Sequence, residues 1–291
     1  KKKGARIFFY IPPHRVQRWL GGGQHVKIQL SDAGEAIFGS SNISHASFAA
    51  WNDFSVLLAG EIILEFAESF RTLGFPLERN HLLTLKKLIQ NSIPEYNFTY
   101  HVFDPNKHQG VLGPLFWRKK NTITEAMVQL FEEARESVFL TSFYFKPTKK
   151  LFRAMLRAAR RGVKITIFHS HRAALDATDL AWIAAAVKFD LLLKAKIRIF
   201  ENKKGEHSKL VLVDGMKAAL GSYNFEDAAH DRLAEAMLVT REKKVVESIQ
   251  QIFDLLKRNS QNILVKKLWR KRLRFRLRIR IRLWGVFKRW L

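Results

Sequence analysis

Hydrophobic residues in the segment 121–258 recur with two different periods, and the changes of period predict helices that alternate with strands. Apolar residues three and four positions apart predict a helix whose capping box is formed by Thr122 and Glu125. Its predicted buried face consists of Ile123, Ala126, Met127, Leu130, Phe131 and Ala134. Further helices are predicted over Lys149–Arg161, Asp176–Val187 and Glu242–Arg258, and strands over Val138–Phe145, Val163–Phe168, Ala195–Phe200 and Lys209–Val213. This alternation predicts a layered α/β domain.

The N-terminal part contains similar segments in a shorter stretch of chain. We expect a strand at Arg6–Ile11 and helices at Glu61–Arg71 and Leu82–Gln90. Proline and glycine residues between Pro94 and Pro114 are typical of a connector. We therefore divide the chain into a first unit (1–93), a connector (94–120), a second unit (121–258) and a basic amphipathic tail (259–291).

The same polar pattern occurs twice, 182 positions apart (residue 207 against residue 25). Each copy has the form HxKx4D, is followed after six residues by GSxN, and has an acidic residue 28 positions after its His. The first copy consists of His25, Lys27, Asp32, Ser40, Asn42 and Asp53, and the second of His207, Lys209, Asp214, Ser222, Asn224 and Glu235. Two copies with identical offsets indicate a duplicated unit that carries chemistry.

These residue types suit a tetrahedral phosphoryl centre. A neutral imidazole can attack phosphorus and carry the group covalently, while a second, protonated imidazole donates a proton to the leaving group. The lysines provide positive charge for oxyanions, and the serine and asparagine side chains add neutral donors. The acids can accept a hydrogen bond from each His and fix its tautomer. The pattern thus predicts phosphodiester cleavage or transfer through a phosphohistidine, with no metal and no cofactor.

The duplicated HxKx4D…GSxN pattern resembles the phospholipase D superfamily, in which two such motifs form one metal-independent site. The sequences from Trp51 to Phe54 and from Leu57 to Gly60 look like those of cardiolipin synthases and related phosphatidyltransferases. The resemblance implies two pseudo-repeated α/β/α units that share one active site at their interface. Because 86 residues separate Asn121 from His207 but only 24 precede His25, we expect the first unit to lack about 62 residues.

The resemblance also implies roles for the repeated residues. The implied catalytic set is His25, His207, Lys27, Lys209, Asp32, Asp214, Asp53 and Glu235, with His25 as the nucleophile. The phosphate would be bound by Ser40, Asn42, Ser222 and Asn224. Family members often carry Ser five residues and Asn nine residues after the GSxN asparagine. This chain has Ser47 and Trp51 at those places in the first copy, and Ala229 and Leu233 in the second.

The charge of the chain is strongly asymmetric. Fifty-one Lys and Arg against 26 Asp and Glu give a net charge of +25, and residues 266–291 contain 12 of these bases and no acid. Leu273–Arg282 alternates apolar residues with Arg, so a strand would separate the two kinds of side chain, whereas a helix would mix them. We predict that this tail docks on an anionic membrane surface. The predicted docking residues are Arg274, Arg276, Arg278, Arg280, Arg282, Trp284 and Trp290.

The function predicted from these features is a phosphatidyltransferase of the cardiolipin synthase type that acts on phospholipids at the cytoplasmic face of a membrane. Three alternatives remain open. Water in place of an acceptor alcohol would give phospholipase D hydrolysis, and the basic surface would also suit a nuclease of the same superfamily acting on DNA or RNA. A non-enzymatic protein with a relict site is the third. The absence of Cys excludes a disulfide scaffold and thiolate catalysis, and no segment has the length and apolar composition of a membrane span.

Overall fold

The structure is a computed structural model of an α/β protein. It describes residues 8–12, 15, 19, 21–75, 77–89, 97–105, 120–174, 179–263, 276, 279, 281 and 283.

Helices and short strands alternate along the described chain. The strands are β1 (Gly23–Gln24), β2 (Ile28–Leu30), β3 (Glu35–Gly39), β4 (Trp51–Asn52), β5 (Ser55–Ala59), β6 (Phe98–Phe103), β7 (Ser137–Ser142), β8 (Lys164–Ser170), β9 (Arg198–Asn202), β10 (Gly205–Glu206), β11 (Leu210–Val213), β12 (Lys217–Gly221), β13 (Leu233–Thr240) and β14 (Gln261–Ile263). The helices are α1 (Ile62–Thr72), α2 (Arg79–Ile89), α3 (Thr122–Glu133), α4 (Lys149–Arg160), α5 (Asp179–Lys194), α6 (Asp227–Asp231) and α7 (Lys243–Asn259). A π-helical turn covers Ala46–Ala50.

A large mixed sheet, built mainly from the second half, has the strand order β1-β13-β12-β11-β7-β8-β9-β14, and β6 also pairs with β13. Strands β7, β8 and β9 are parallel, and α4 and α5 connect them in sequence. Strands β11, β12 and β13 form antiparallel pairs. The first half forms a smaller antiparallel sheet in the order β2-β3-β5.

The two halves repeat the same local geometry. Strands β3 and β12 have bounds that differ by 182 positions, and so do β1 and β10. In the first half β3 pairs with β5, and in the second half β12 pairs with β13, antiparallel in both cases. The sequence offset of the two motifs is therefore also an offset of secondary structure.

Two short parallel strand pairs join the halves. Strand β1 of the first half pairs with β13 of the second, with Gly23 opposite Leu233. Strand β10 of the second half pairs with β4 of the first, with Gly205 opposite Trp51. The two pairs are again related by 182 positions, so each half adds a strand to the other directly before its motif His.

The hydrophobic core lies on both faces of the large sheet. One cluster contains α3, α4 and α5 against the sheet, with Phe131 and Phe189 fully buried. The other cluster combines residues of both halves, among them Phe38, Phe66, Phe168 and Phe253. Because the second cluster is shared, burial of apolar surface holds the halves together.

One face of the smaller sheet is exposed where the equivalent face of the large sheet is covered. Ile37 and Leu57 are 42% and 67% exposed, whereas their counterparts Ala219 and Val239 are 0% and 7% exposed beneath α3 and α4. A cavity of about 380 Å³ opens along this face between Ile37 and Phe48.

Several details differ from the sequence predictions. Helix α3 is capped by Asn121, whose side chain accepts a hydrogen bond from the backbone N–H of Thr124, so the predicted Thr122 capping box is wrong. The described part of the strand predicted at Arg6–Ile11, residues 8–11, is not in a strand, so this prediction is wrong there. The predicted connector contributes strand β6 to the large sheet.

In the tail, the four described residues Arg276, Ile279, Ile281 and Leu283 are helical, and Ile281 packs against the core of the second half. Arg and Leu are good helix formers, which opposes the strand that alternation favours. The other predicted docking residues lie outside the described residues: Arg274, Arg278, Arg280, Arg282, Trp284 and Trp290. Among the helices that the structure describes, none is both long and apolar enough to span a membrane.

Candidate active site

The two motif histidines are held by equivalent backbone contacts to the opposite half. The backbone N–H of His25 donates to the carbonyl oxygen of Ala234 at 2.9 Å. The backbone N–H of His207 donates to the carbonyl oxygen of Asn52 at 2.8 Å. Each His follows one of the two short strands that join the halves, β1 or β10, so the strand pairing sets its position.

The side chains of these histidines are oriented by carboxylates from the opposite half. Nδ1 of His25 lies 2.9 Å from Oε1 of Glu235, and Nδ1 of His207 lies 2.9 and 3.1 Å from the two carboxylate oxygens of Asp53. A carboxylate oxygen accepts, so Nδ1 of each ring donates and Nε2 is left to react. The predicted acids therefore do contact the histidines, but each contacts the His of the other motif copy.

The GSxN serines hold these acids in place. Ser40 donates to Asp53 at 2.5 Å, and Ser222 donates to Glu235. Each serine oxygen also accepts a backbone N–H, from Phe54 and Ala236 respectively, both at 3.0 Å. The geometry thus places the predicted phosphate-binding serines against the carboxylates, where they fix the acids that orient the imidazoles.

The GSxN glycines are required by close backbone approach. A Cβ on Gly39 would overlap the carbonyl oxygen of Phe54, and a Cβ on Gly221 would overlap that of Ala236. Without side chains, these two strands come near enough for the following serines to reach the acids. The conserved geometry of the two copies explains the Gly-Ser pair of the motif.

The two motif lysines are cations that influence each other, and Lys209 is buried whereas Lys27 is half-buried. Nζ of Lys27 donates to the carbonyl oxygen of His25 at 2.8 Å, and Nζ of Lys209 donates to that of His207 at 2.5 Å. Burial lowers the pKa of Lys27 to about 8, against the opposing charges of Glu235 and Asp53. Burial and the charge of Lys27 lower the pKa of Lys209 to about 7. Two cations that disfavour each other in a buried site would gain from a bound anion.

The motif asparagines differ in their surroundings. Asn224 is 1% exposed, and its side-chain oxygen is buried with no hydrogen-bond partner among the described residues. The backbone N–H of Asn42 donates to Ser47 Oγ at 3.1 Å, which explains the Ser five residues later. Each asparagine lies three residues after the end of its strand, β3 or β12.

The last residue of the HxKx4D motif has a different role in the geometry. Both carboxylate oxygens of Asp214 accept backbone N–H groups, from Arg135 at 2.9 Å and from Glu136 and Ser137 at 2.8 Å. Burial of Asp214 raises its pKa, but these backbone donors lower it more, to below its usual value. These contacts anchor the start of β7, so any contribution of Asp214 to catalysis is indirect. Its counterpart Asp32 is exposed in the turn after β2.

The ring of His207 lies in an aromatic environment that the sequence did not predict. Trp51 stacks on it with ring centroids 4.8 Å apart and an interplanar angle of 28°, and Phe143 meets it edge-on at 5.1 Å. Burial lowers the pKa of His207 to about 4, although the hydrogen bond to Asp53 opposes that shift. The side chain of His207 is 6% exposed, against 24% for His25.

A further buried carboxyl group lies next to His207. Glu206 accepts hydrogen bonds from Ser208 and, at 3.2 Å, from Asn52. Burial raises the pKa of Glu206 to about 7. Its position directly before the motif His is the sequence feature that could have indicated it.

The charged groups of the two motif copies shift each other's pKa values. Burial tends to raise the pKa of Asp53, but its hydrogen bonds from His207 and Ser40 and the charge of Lys209 hold it below the usual value. The charge of Lys27 in turn acts on His207. The residues of both motif copies therefore form one electrostatic unit. Within the described part of the chain, no three His, Cys, Asp or Glu side chains are grouped as a metal site requires.

Comparison with known proteins agrees with this geometry. A family model described as "Cardiolipin synthase, PLD-like domain" matches residues 127–257. Cardiolipin synthase A of Buchnera aphidicola subsp. Schizaphis graminum is 32% identical over 297 residues, which cover 94% of this chain and 56% of that protein. Cardiolipin synthase B of Salmonella typhi is 24% identical over 181 residues, 58% of this chain and 43% of that protein.

The chain thus spans about half the length of the curated relatives it matches. Among solved structures, phosphatidylserine synthase of Haemophilus influenzae Rd KW20 superposes with a TM-score of 0.67 over 94% of this chain and 71% of that one, at 13% identity. That likeness shows the fold. Together with the duplicated motifs, these sequence matches make the chain similar to the cardiolipin synthases of the phospholipase D superfamily.

Proposed function

We propose that this chain catalyses phosphatidyl transfer between phospholipids, in the manner of a cardiolipin synthase. The observation that carries the proposal is the reciprocal pairing of His25 with Glu235 and His207 with Asp53, with the two motif lysines electrostatically coupled to these acids. This arrangement supplies a nucleophile, a proton donor and positive charge for a phosphodiester. The cardiolipin synthase relatives support a phospholipid as the substrate.

The first half-reaction forms a covalent intermediate. Nε2 of His25 attacks the phosphorus of a phosphatidylglycerol, and the bond from phosphorus to the glycerol headgroup oxygen breaks. His207 donates the proton that this oxygen needs, so free glycerol leaves. We give the attack to His25 because its ring is 24% exposed and can reach a bulky lipid, whereas proton transfer requires only that Nε2 of His207 is accessible.

The protonation state of His207 depends on the substrate in this proposal. Burial keeps its imidazole neutral in the free protein, with a pKa of about 4. The negative charge of a bound phosphodiester favours the imidazolium and so raises that pKa. The acid is thereby formed when the substrate arrives.

The second half-reaction reverses these roles. A hydroxyl group of a second phosphatidylglycerol loses its proton to neutral His207 and attacks the phosphorus, and the bond to His25 breaks. The products of the cycle are one cardiolipin and one glycerol from two phosphatidylglycerols. If water replaces the second lipid, the product is phosphatidic acid.

The tail provides the proposed membrane contact. Residues 266–291 carry 12 basic residues, and each basic residue close to an anionic leaflet contributes about 1 kcal/mol of binding. We infer that the protein works at an anionic membrane surface, at its cytoplasmic face.

The experiment is incubation of the purified chain with vesicles of phosphatidylglycerol, and in a separate reaction with supercoiled plasmid. Cardiolipin and glycerol are the expected products. Phosphatidic acid without cardiolipin would show that the protein is a hydrolase and not a transferase. Plasmid nicking without lipid turnover would show that it is a nuclease. Turnover that survives both His25→Ala and His207→Ala would refute the mechanism.

A further inference from the structure

The environments of the two motif histidines differ at one pair of equivalent positions. Trp51 lies opposite Gly205 in the β4–β10 pair, next to His207. The equivalent position in the other half is Leu233, opposite Gly23 and next to His25. Only one of the two imidazoles is therefore stacked by an aromatic residue of this strand position.

The Trp51 indole occupies space that the local backbone leaves open for it. A Cβ on Gly205 would overlap the indole ring, whereas a Cβ on Gly23 would lie 3.8 Å from Leu233, an ordinary contact. The indole stacks on the imidazole at 4.8 Å and lies 5.0 Å from Phe143, which in turn meets the imidazole edge-on. The rings of Trp51, Phe143 and His207 are therefore each in contact with the other two.

Such packing restricts an imidazole in two ways. An indole stacked on one face and a phenyl edge on another side prevent the ring from rotating, while Asp53 fixes Nδ1. The same rings exclude water, which is consistent with the 6% exposure of the His207 side chain against 24% for His25. Orientation within a few tenths of an ångström strongly affects proton transfer.

We propose that Trp51, supported by Phe143, is a positioning residue that fixes the plane of His207 and keeps water from it, and so makes this imidazole the proton-transfer partner of the pair. The role in turnover rests on the proposed function. The packing role does not, and it can be measured without a substrate.

The test is the titration of His207 by NMR of the imidazole nitrogens in the full chain. Trp51→Leu copies the residue at the equivalent position beside His25, and Trp51→Phe keeps an aromatic ring. In Trp51→Leu, water reaches the ring, and we expect the pKa of His207 to rise by about one unit or more. In Trp51→Phe it stays near its original value.

The charged groups that act on His207 are Asp53, Lys209 and Lys27, and the neighbouring carboxyl group is Glu206. All four are present in every variant, so a change in titration reports the aromatic packing. Trp182→Phe is the structural control, because Trp182 is buried elsewhere and donates to Glu201 at 2.6 Å. It lowers stability but leaves the titration of His207 as it was.

The kinetic readout uses phosphatidylglycerol vesicles. We expect kcat to fall about tenfold to a hundredfold in Trp51→Leu with KM within about twofold, and to recover largely in Trp51→Phe. If the protein has no lipid activity, the proposed function fails while the titration still tests the packing. If Trp51→Leu does not fold, Gly205→Ala, which displaces the indole, takes its place in the titration. An unchanged His207 titration in the folded variant would overturn the proposal.

Discussion

Asp53 and His207 are 154 positions apart in sequence and belong to different copies of the motif, yet the carboxylate accepts a hydrogen bond from Nδ1 of the imidazole at 2.9 Å. Glu235 and His25, 210 positions apart, make the equivalent contact at 2.9 Å, here with the acid from the second half and the imidazole from the first. Each imidazole is thus oriented by the half of the molecule that does not supply it. The acid that follows a His by 28 positions is the partner of the other His.

This pairing predicts which histidine responds to which acid. Asp53→Asn should change the nitrogen NMR signals of His207 and leave those of His25 in place, because the amide presents a donor or a weaker acceptor to Nδ1. Glu235→Gln should do the reverse. Each variant should lower kcat about a hundredfold or more, since the tautomer that exposes a reactive Nε2 is lost. Changes confined to the histidine of the same motif copy would contradict the pairing.

The buried imidazoles predict acid sensitivity of the fold. Burial lowers the pKa of His207 to about 4 and that of His169, which is fully buried within β8, also to about 4. In the unfolded chain both titrate near 6.5, so the unfolded state binds protons first as the pH falls. The contribution of each group is complete above pH 6.5 and is lost between pH 6.5 and 4.

We expect the free energy of unfolding to decrease through this window, by at most about 3 kcal/mol for each His. Urea denaturation at a series of pH values measures the slope. His207→Gln and His169→Gln should each flatten it, and the double variant should flatten it further. If the free energy of unfolding falls equally steeply with pH in the double variant, the acid sensitivity does not come from these two histidines.

The close approach at the GSxN glycines predicts a sharp difference between glycines. Gly221→Ala and Gly39→Ala force a Cβ onto a backbone carbonyl oxygen, and each should cost about 2–4 kcal/mol of unfolding free energy. Gly23→Ala is the matched control, because its Cβ would meet only Leu233 at 3.8 Å. It should change stability by no more than about 0.5 kcal/mol. Thermal or urea denaturation compares the three variants.

The contacts of Asp214 predict a loss of stability rather than of chemistry. Asp214→Ala removes the acceptor of three backbone N–H groups at the start of β7 and should cost about 2 kcal/mol. The kcat of the folded fraction should stay within about threefold of the original value. Asp32→Ala, at the exposed equivalent position, should leave stability unchanged. A large loss of kcat in a stably folded Asp214→Ala protein would restore a direct catalytic role.

The basic tail predicts salt-dependent binding to lipid. Deletion of residues 266–291 removes 12 basic residues and should weaken co-sedimentation with phosphatidylglycerol vesicles at least tenfold at low salt. Phosphatidylcholine vesicles serve as the neutral control. Because Ile281 packs against the core, a variant with the tail arginines changed to glutamine separates the loss of charge from the loss of packing. Equal binding by both altered proteins and the original would exclude the tail from docking.

Local patterns carried most of the information about the fold. The helical faces of α3, α4 and α7 follow from apolar spacing, and the repeated motif offset gave the equivalence of β3 with β12. The observed ends of helices differ from the predicted ends where a local contact sets them. At the start of α3, for example, the side chain of Asn121 caps the helix. The tail pattern was ambiguous because its alternation favours a strand while its residue types favour a helix.

The grouping of the motif histidines, lysines and 28-offset acids was predictable from the sequence, but their contacts were not. Spacing identified His25, His207, both lysines and both acids, because each copy preserves the same offsets. The exchange of acids between copies, and the serine contacts to those acids, depend on strand register across more than 150 positions. The stacking of Trp51 on His207 arises from the β4–β10 pair, and no sequence period indicates it.

The strand pairs β1–β13 and β10–β4 also limit how the protein can move. Rotating one half away from the other would break both pairs and both imidazole–carboxylate hydrogen bonds in a single step. We therefore expect no hinge opening during turnover. On the proposed function, the headgroup that leaves and the one that enters would then exchange while the two halves stay in register.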